Sequence, residues 1–162
     1  MTVSVSDKNA RMEVEFPPDW RVLRDLRSFV KKLVVSVAES DDLAARVSMV
    51  VTELAENAVK YADESSTIVR LRVEPTSTGI RCESENKAKA EHIDQLKKTL
   101  ANVTTGDPFT AYERALVTSA EQGGTTSQIG LARIRLEGQM ELRCVVVDQH
   151  VRIIAEMPRV AA

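Results

Sequence analysis

Glu53 and Asn57 are the two residues whose types and spacing bring unlike polar groups together on an otherwise apolar helical frame, Val50-Val51-Thr52-Glu53-Leu54-Ala55-Glu56-Asn57-Ala58-Val59-Lys60-Tyr61-Ala62. Four residues apart on a helix, a carboxylate and a carboxamide stand side by side on one face. The Asn side-chain oxygen can ligate Mg²⁺, a hard cation that takes oxygen ligands. The carboxylate can accept a proton from an incoming hydroxyl or water. The plainer outcome of the same spacing is a Glu···Asn hydrogen bond on a helix surface.

A second stretch has the parts of an anion site. Gln122-Gly123-Gly124-Thr125-Thr126-Ser127-Gln128 runs into Ile129-Gly130-Leu131. It joins permissive backbone, the hydroxyls of Thr126 and Ser127, and a helix start whose unpaired N–H groups carry partial positive charge, so a phosphate can dock there. The alternative is a solvated loop capped by Ser127 or Thr126.

The elements that must position these residues follow from periodicity. Met12, Val14 and Phe16 alternate with charges, which predicts a half-buried strand ended by Pro17-Pro18. Asp19 then caps a helix to about residue 38, with Leu23, Leu26, Val30, Leu33, Val34 and Val37 at helical spacing and Trp20 as a packing anchor. Asp41 or Asp42 starts a second helix, whose stripe of Leu43, Val47, Val50, Leu54, Ala58 and Tyr61 packs on a sheet. Ile68, Leu71 and Val73 mark a strand in which Val69 breaks the alternation, and Ile80, Cys82 and Ser84 mark its hairpin partner. Helices are expected from Lys87 to about Ala101, from Asp107-Pro108 onward, and over Ile129–Leu136. Leu142–Val147 and Val151–Ile154 form a second hairpin around Asp148-Gln149-His150.

That order predicts an α/β (α+β) two-layer sandwich: a mixed, mostly antiparallel sheet with helices on one face, as a single domain over residues 1–162. Val145-Val146-Val147 and Ile153-Ile154-Ala155 run apolar without alternation, which implies burial on both faces of the sheet. One helical layer covers one face only, so the other is expected to be covered in part by Thr2–Ser6 folding back as a strand. The remainder is expected to form a homodimer or partner interface.

With 22 Lys and Arg against 24 Asp and Glu, the chain lacks the basic field of a nucleic-acid or membrane-surface binder. No segment approaches the ~20 apolar residues that span a bilayer, and a cytoplasmic location is expected. Cys82 and Cys144, without C-x-x-C spacing, read as buried thiols in a reducing compartment. His92 and His150 stand in unlike settings and read as separate surface or hairpin residues.

Glu53-Leu54-x-x-Asn57-Ala58-x-x-Tyr61-Ala62 resembles the N box of the GHKL (histidine-kinase-like) ATPase superfamily, above all its bacterial anti-sigma-factor serine kinases. The resemblance implies ATP and Mg²⁺ as cofactors, with Asn57 as the metal ligand, Glu53 as the catalytic base and a phosphate contact from Lys60. Gly130-Leu131 is similar to the second half of the G-x-G-L segment that ends the ATP lid in that superfamily; Gln128 stands where its first glycine is usual. The D-x-G-x-G motif is absent. Its place is taken by Cys82-Glu83-Ser84-Glu85-Asn86-Lys87-Ala88-Lys89, where Asn86 can accept from an adenine amino group but side chains replace glycines and narrow the base pocket. An Asn at that place and two helices in the lid region are similar to the divergent SiaB-like protein kinases and regulators. The implied function is a bacterial signal-transduction regulator, either a protein Ser/Thr kinase acting on a partner protein or a nucleotide-free partner-binding scaffold.

Overall fold

Arg11–Phe16 alternates half-buried and buried residues along its whole length, so one edge of every residue pair faces a core and the other faces out. The same alternation recurs in later strands and sets the architecture. The computed structural model describes residues 2–6, 11–37, 40–66, 68–123 and 127–158. The elements are β1 (Thr2–Ser6), β2 (Arg11–Phe16), α1 (Trp20–Val37), α2 (Asp41–Lys60), β3 (Val69–Thr76), β4 (Gly79–Lys87), α3 (Ala90–Thr104), α4 (Pro108–Glu121), α5 (Ser127–Leu136), β5 (Glu141–Val147) and β6 (His150–Glu156). The six strands form one sheet in the order β1-β2-β3-β4-β6-β5. The expected mixed sheet is corrected here: among the described residues all five pairings are antiparallel.

Met12, Val14 and Phe16 of β2, Val69, Leu71 and Val73 of β3, Cys82 of β4, and Val151, Ile153 and Ala155 of β6 face the helices and form the core with them. Leu71 and Val73 face the core as expected, and Val69 continues their alternation where it was expected to break it. Val69 pairs with Phe16 and is fully buried, whereas Ile68 precedes the strand and is 48% exposed. Trp20, expected as an anchor, is exposed at the start of α1.

Helix α2 is the best anchored element, with nine buried residues from Ala44 to Val59. Ser40 caps it with extended backbone and a side chain that accepts from the Leu43 N–H, and Asp41 and Asp42 place negative charge at its positive end. Asp107 caps α4 in the same way by accepting from the Thr110 N–H, with Pro108 in the first turn. Helix α3 starts at Ala90 and not at Lys87, because Lys87 is the last residue of β4 and pairs with His150.

The outer face of the sheet is an ionic lattice, where sequence reasoning expected apolar cover. Arg70 reaches Glu13, Glu15 and Glu85; Arg72 reaches Glu13 and Glu83; Arg81 reaches Glu74 and Glu156; Arg152 reaches Glu83 and Glu85. Ile154 lies buried within it. β1 extends the sheet in its plane beside β2 and does not fold over this face. Every cation here is an arginine, whose planar fork bonds several carboxylates at once.

The lattice has a pH signature. The Arg72 hydrogen bond holds the Glu13 carboxyl below the usual carboxylate range. Its stabilisation is therefore complete above the unfolded carboxylate pKa and is lost as pH falls through the lowered, folded value. Arg72→Met is expected to lower stability by about 1 kcal/mol at neutral pH, and the gap from wild type should close at acid pH and in high salt. Urea unfolding at neutral and acid pH checks this; a gap that stays constant would show that the ion pairs contribute nothing.

Candidate functional site

Helix α2 carries Glu53 and Asn57 on the side that meets α5, and the two residues have separate fates. Asn57 is 4% exposed, and its Nδ2 donates to the Glu53 backbone oxygen one turn back at 2.9 Å. The Glu53 carboxylate accepts from Arg133 Nη1 at 2.7 Å, and Arg133 in turn grips Glu137 with a second pair of donors at 2.9 and 3.0 Å. The Glu···Asn side-chain pair anticipated from the spacing is thus replaced by a Glu53–Arg133–Glu137 chain.

Gly130 explains how α5 comes this close. A Cβ built on it would overlap the Glu53 carboxylate, so its missing side chain is the space the carboxylate occupies. Arg133 follows one turn later on the same face of α5. Arg133 is the functional residue that sequence reasoning missed; its spacing from Gly130 in Gly-Leu-Ala-Arg is the signal that was present.

Burial raises the Glu53 pKa above the usual carboxylate value, with Arg133 and Arg27 opposing. The Arg133 pKa is raised, chiefly by Glu137. The two shifts are compatible because Arg133 draws most of its stabilisation from the exposed Glu137, while Glu53 sits in the drier position where desolvation wins.

Glu53 and Arg133 border an open cleft of about 800 Å³ between α1, α2 and α5. Its α1 wall bears Arg27 and Lys31, with Arg27 ion-paired to Glu56. Its floor is the small-residue outer face of α2, Ala45, Ser48 and Thr52, with the Thr52 hydroxyl turned back to the Ser48 carbonyl. Asn57 does not line it.

The remaining sequence-derived site residues lie elsewhere. Asn86 is on the helix-covered face of β4, 5% exposed, with Nδ2 donating to the Lys87 carbonyl at 3.3 Å. Beyond it, the Ala62–Ala88 bridge and the Asp63 N–H to Lys87 oxygen bond hold the end of β4 against the segment after α2. Lys60 is exposed with its ammonium 5.4 Å from the Tyr61 ring centroid, and Tyr61 meets His92 edge-on at 5.7 Å. His92 is therefore packed against α2 and is no simple surface residue. Leu131 is buried in the core, Ser127 begins α5, and Thr126 lies outside the described residues.

A nucleotide–Mg²⁺ site needs an amide oxygen presented to solvent and a pocket open to the base. Here both amides are nearly buried, and each nitrogen donates to a backbone carbonyl. The cleft that Glu53 borders is lined by neither carboxamide, so it does not fit the bound group as the resemblance implies it.

Neither a protein-family model nor a curated protein sequence matches the chain. A solved structure does: one from the SiaB–SiaC complex of Pseudomonas aeruginosa aligns with 88% of this chain and 86% of its own, with a TM-score of 0.69 and 14% identity. The two share a fold. At that identity the likeness is one of architecture, and it covers the sheet and its helical layer together. No helix among the described residues is long and apolar enough to cross a membrane.

Proposed function

We propose that the chain is a bacterial signal-transduction regulator that works by binding a partner protein, with the cleft between α1, α2 and α5 as the seat and no dependence on nucleotide. The observation that carries this reading is the division of the Glu53–Asn57 pair: the carboxylate opens onto a cleft of about 800 Å³, while Asn57 is 4% exposed and does not line it. Support for a protein partner comes from the shared fold, since the similar chain was solved within a two-protein complex. The cleft walls carry both signs of charge, Arg27, Lys31 and Arg133 against Glu53 and Glu56, which favours a polar peptide surface over a small anion.

One observation favours a second reading, an ATP-dependent protein Ser/Thr kinase. Burial raises the Glu53 pKa, and a carboxylate so shifted is a better base near neutral pH for a partner hydroxyl entering the cleft. In that reading Asn57 holds Mg²⁺, Asn86 meets the base, and Lys60 with Thr126, Ser127 and Gly130 contacts the phosphates.

Thermal unfolding with Mg-ATP separates the two. A ligand at ~100 times its Kd adds ~2.7 kcal/mol of stability. The expected result is no shift with ATP or ADP, with or without Mg²⁺. A Mg²⁺-dependent rise in Tm that disappears in Asn57→Ala would replace the first reading with the second.

A further inference from the structure

Strand β5 is the last of the sheet. It pairs with β6 from Glu141–Glu156 to Val147–His150 without a break in register and, among the described residues, pairs with no strand on its other side. An open edge presents unpaired N–H and C=O groups, which proteins usually guard with lysine, proline, a bulge or a very short strand. In Glu-Leu-Arg-Cys-Val-Val-Val the charges that also guard an edge stand only at Glu141 and Arg143, and the Cys-Val-Val-Val half has no guard. The ionic lattice also stops there. Arg143 still reaches Glu156, but the next two outward residues are Val145 and Val147, 39% and 62% exposed.

We propose that β5 is the seam of a homodimer, in which two copies pair their β5 strands antiparallel about a two-fold axis normal to the sheet and make one continuous sheet.

Self-complementarity selects a second copy over another protein. The outward face of β5 reads Glu141, Arg143, Val145, Val147, polar in one half and apolar in the other. A two-fold at Cys144 sets each half against the opposite half, so that no like charges stand directly opposed. Val145 then lies beside the aliphatic stem of the other copy's Arg143, and Val147 lies opposite its Glu141.

Helix α3, which packs on β5, carries the same logic. Its exposed charges are acidic in the first half, Glu91 and Asp94, and basic in the second, Lys97 and Lys98. A two-fold normal to the sheet reverses every direction in the plane, so α3 runs antiparallel to its copy and the acidic half of one meets the basic half of the other. Cys144 lies on the α3 side of β5 within the influence of Lys97, which opposes the burial that raises its thiol pKa. Under this symmetry Cys144 sits at the axis.

Light scattering and cross-linking of the whole chain at micromolar concentration test the seam. The expected result is twice the monomer mass for wild type, the monomer mass for the Val145→Lys, Val147→Lys variant, and the dimer retained in Leu116→Lys on the exposed face of α4. Both substituted valines are exposed, so the variant should fold with the wild-type circular dichroism spectrum. A short bis-maleimide should join two wild-type chains through Cys144, since Cys82 is fully buried, and joining should be lost in Cys144→Ser. A monomeric wild type, or a dimer that survives both lysines and cross-links independently of Cys144, would overturn the proposal.

Discussion

Gly138→Ala is expected to destabilise the protein by about 3 kcal/mol, on the order of 10 °C in Tm, although it adds only one methyl group. Gly138 follows α5 and is buried. A Cβ there would stand 2.5 Å from the Ile134 carbonyl oxygen and 2.6 Å from a Val50 methyl. Neither neighbour can yield easily. The Ile134 oxygen is backbone and accepts from the Met140 N–H, and Val50 is fully buried on α2. The chain turns immediately afterwards at Gln139, whose φ of 54° is already in the left-handed region, so the segment has little freedom to absorb a shift.

Urea unfolding should show a lower midpoint with an unchanged slope. In the Val50→Ala background the cost of Gly138→Ala should fall, because one of its two collisions is gone, but it should not vanish, because the carbonyl collision remains. Additive costs in that pair would mean that α5 does not lie against α2 as described. This contact also matters for the cleft, since it fixes the helix that delivers Arg133 to Glu53.

Most strands were legible from sequence because a single alternation decides each. Met12-Val14-Phe16 and Cys82-Ser84 lie where their periodicity placed them. The errors came at strand ends and at the sheet edge. Ile68 and Val69 are both β-branched and adjacent; Val69 keeps step with Leu71 and Val73, and the strand begins there, paired with Phe16. Val145-Val146-Val147 read as doubly buried because a central strand and an unprotected edge strand have the same apolar signature.

The ionic lattice was visible one strand at a time as outward Arg and Glu. That Arg72 lies between Glu13 and Glu83 depends on the register of three strands, which no local pattern specifies. The site was half legible for the same reason. Glu53 was found through its helix, but its partner Arg133 is 80 positions away and is brought to it by the packing of α5 on α2. Asn57 was read by type and spacing alone. Its inward turn onto the Glu53 carbonyl is an i to i−4 bond available to any helical Asn that packing shields from water.

Gly130→Ala should depend on the residue at position 53. In the interior of a helix, alanine is favoured over glycine by roughly 1 kcal/mol. In wild type that gain should be cancelled, because the new methyl must push the end of the Glu53 side chain off Arg133. With Glu53→Ala that obstacle is absent, and Gly130→Ala should stabilise by up to about 1 kcal/mol. The coupling across the four proteins is then about 1 kcal/mol, which urea unfolding resolves. Glu53→Ala alone should cost little. Its carboxylate is already disfavoured by burial, as the raised pKa records, and Arg133 keeps Glu137 as a partner. The cycle also bears on function. A glycine kept so that backbone can approach a phosphate would respond identically in both backgrounds, whereas at a glycine kept for the Glu53 carboxylate alanine stabilises only where Glu53 is absent. Equal effects of Gly130→Ala with and without Glu53 would sink the packing account and return that position to the phosphate-binding reading.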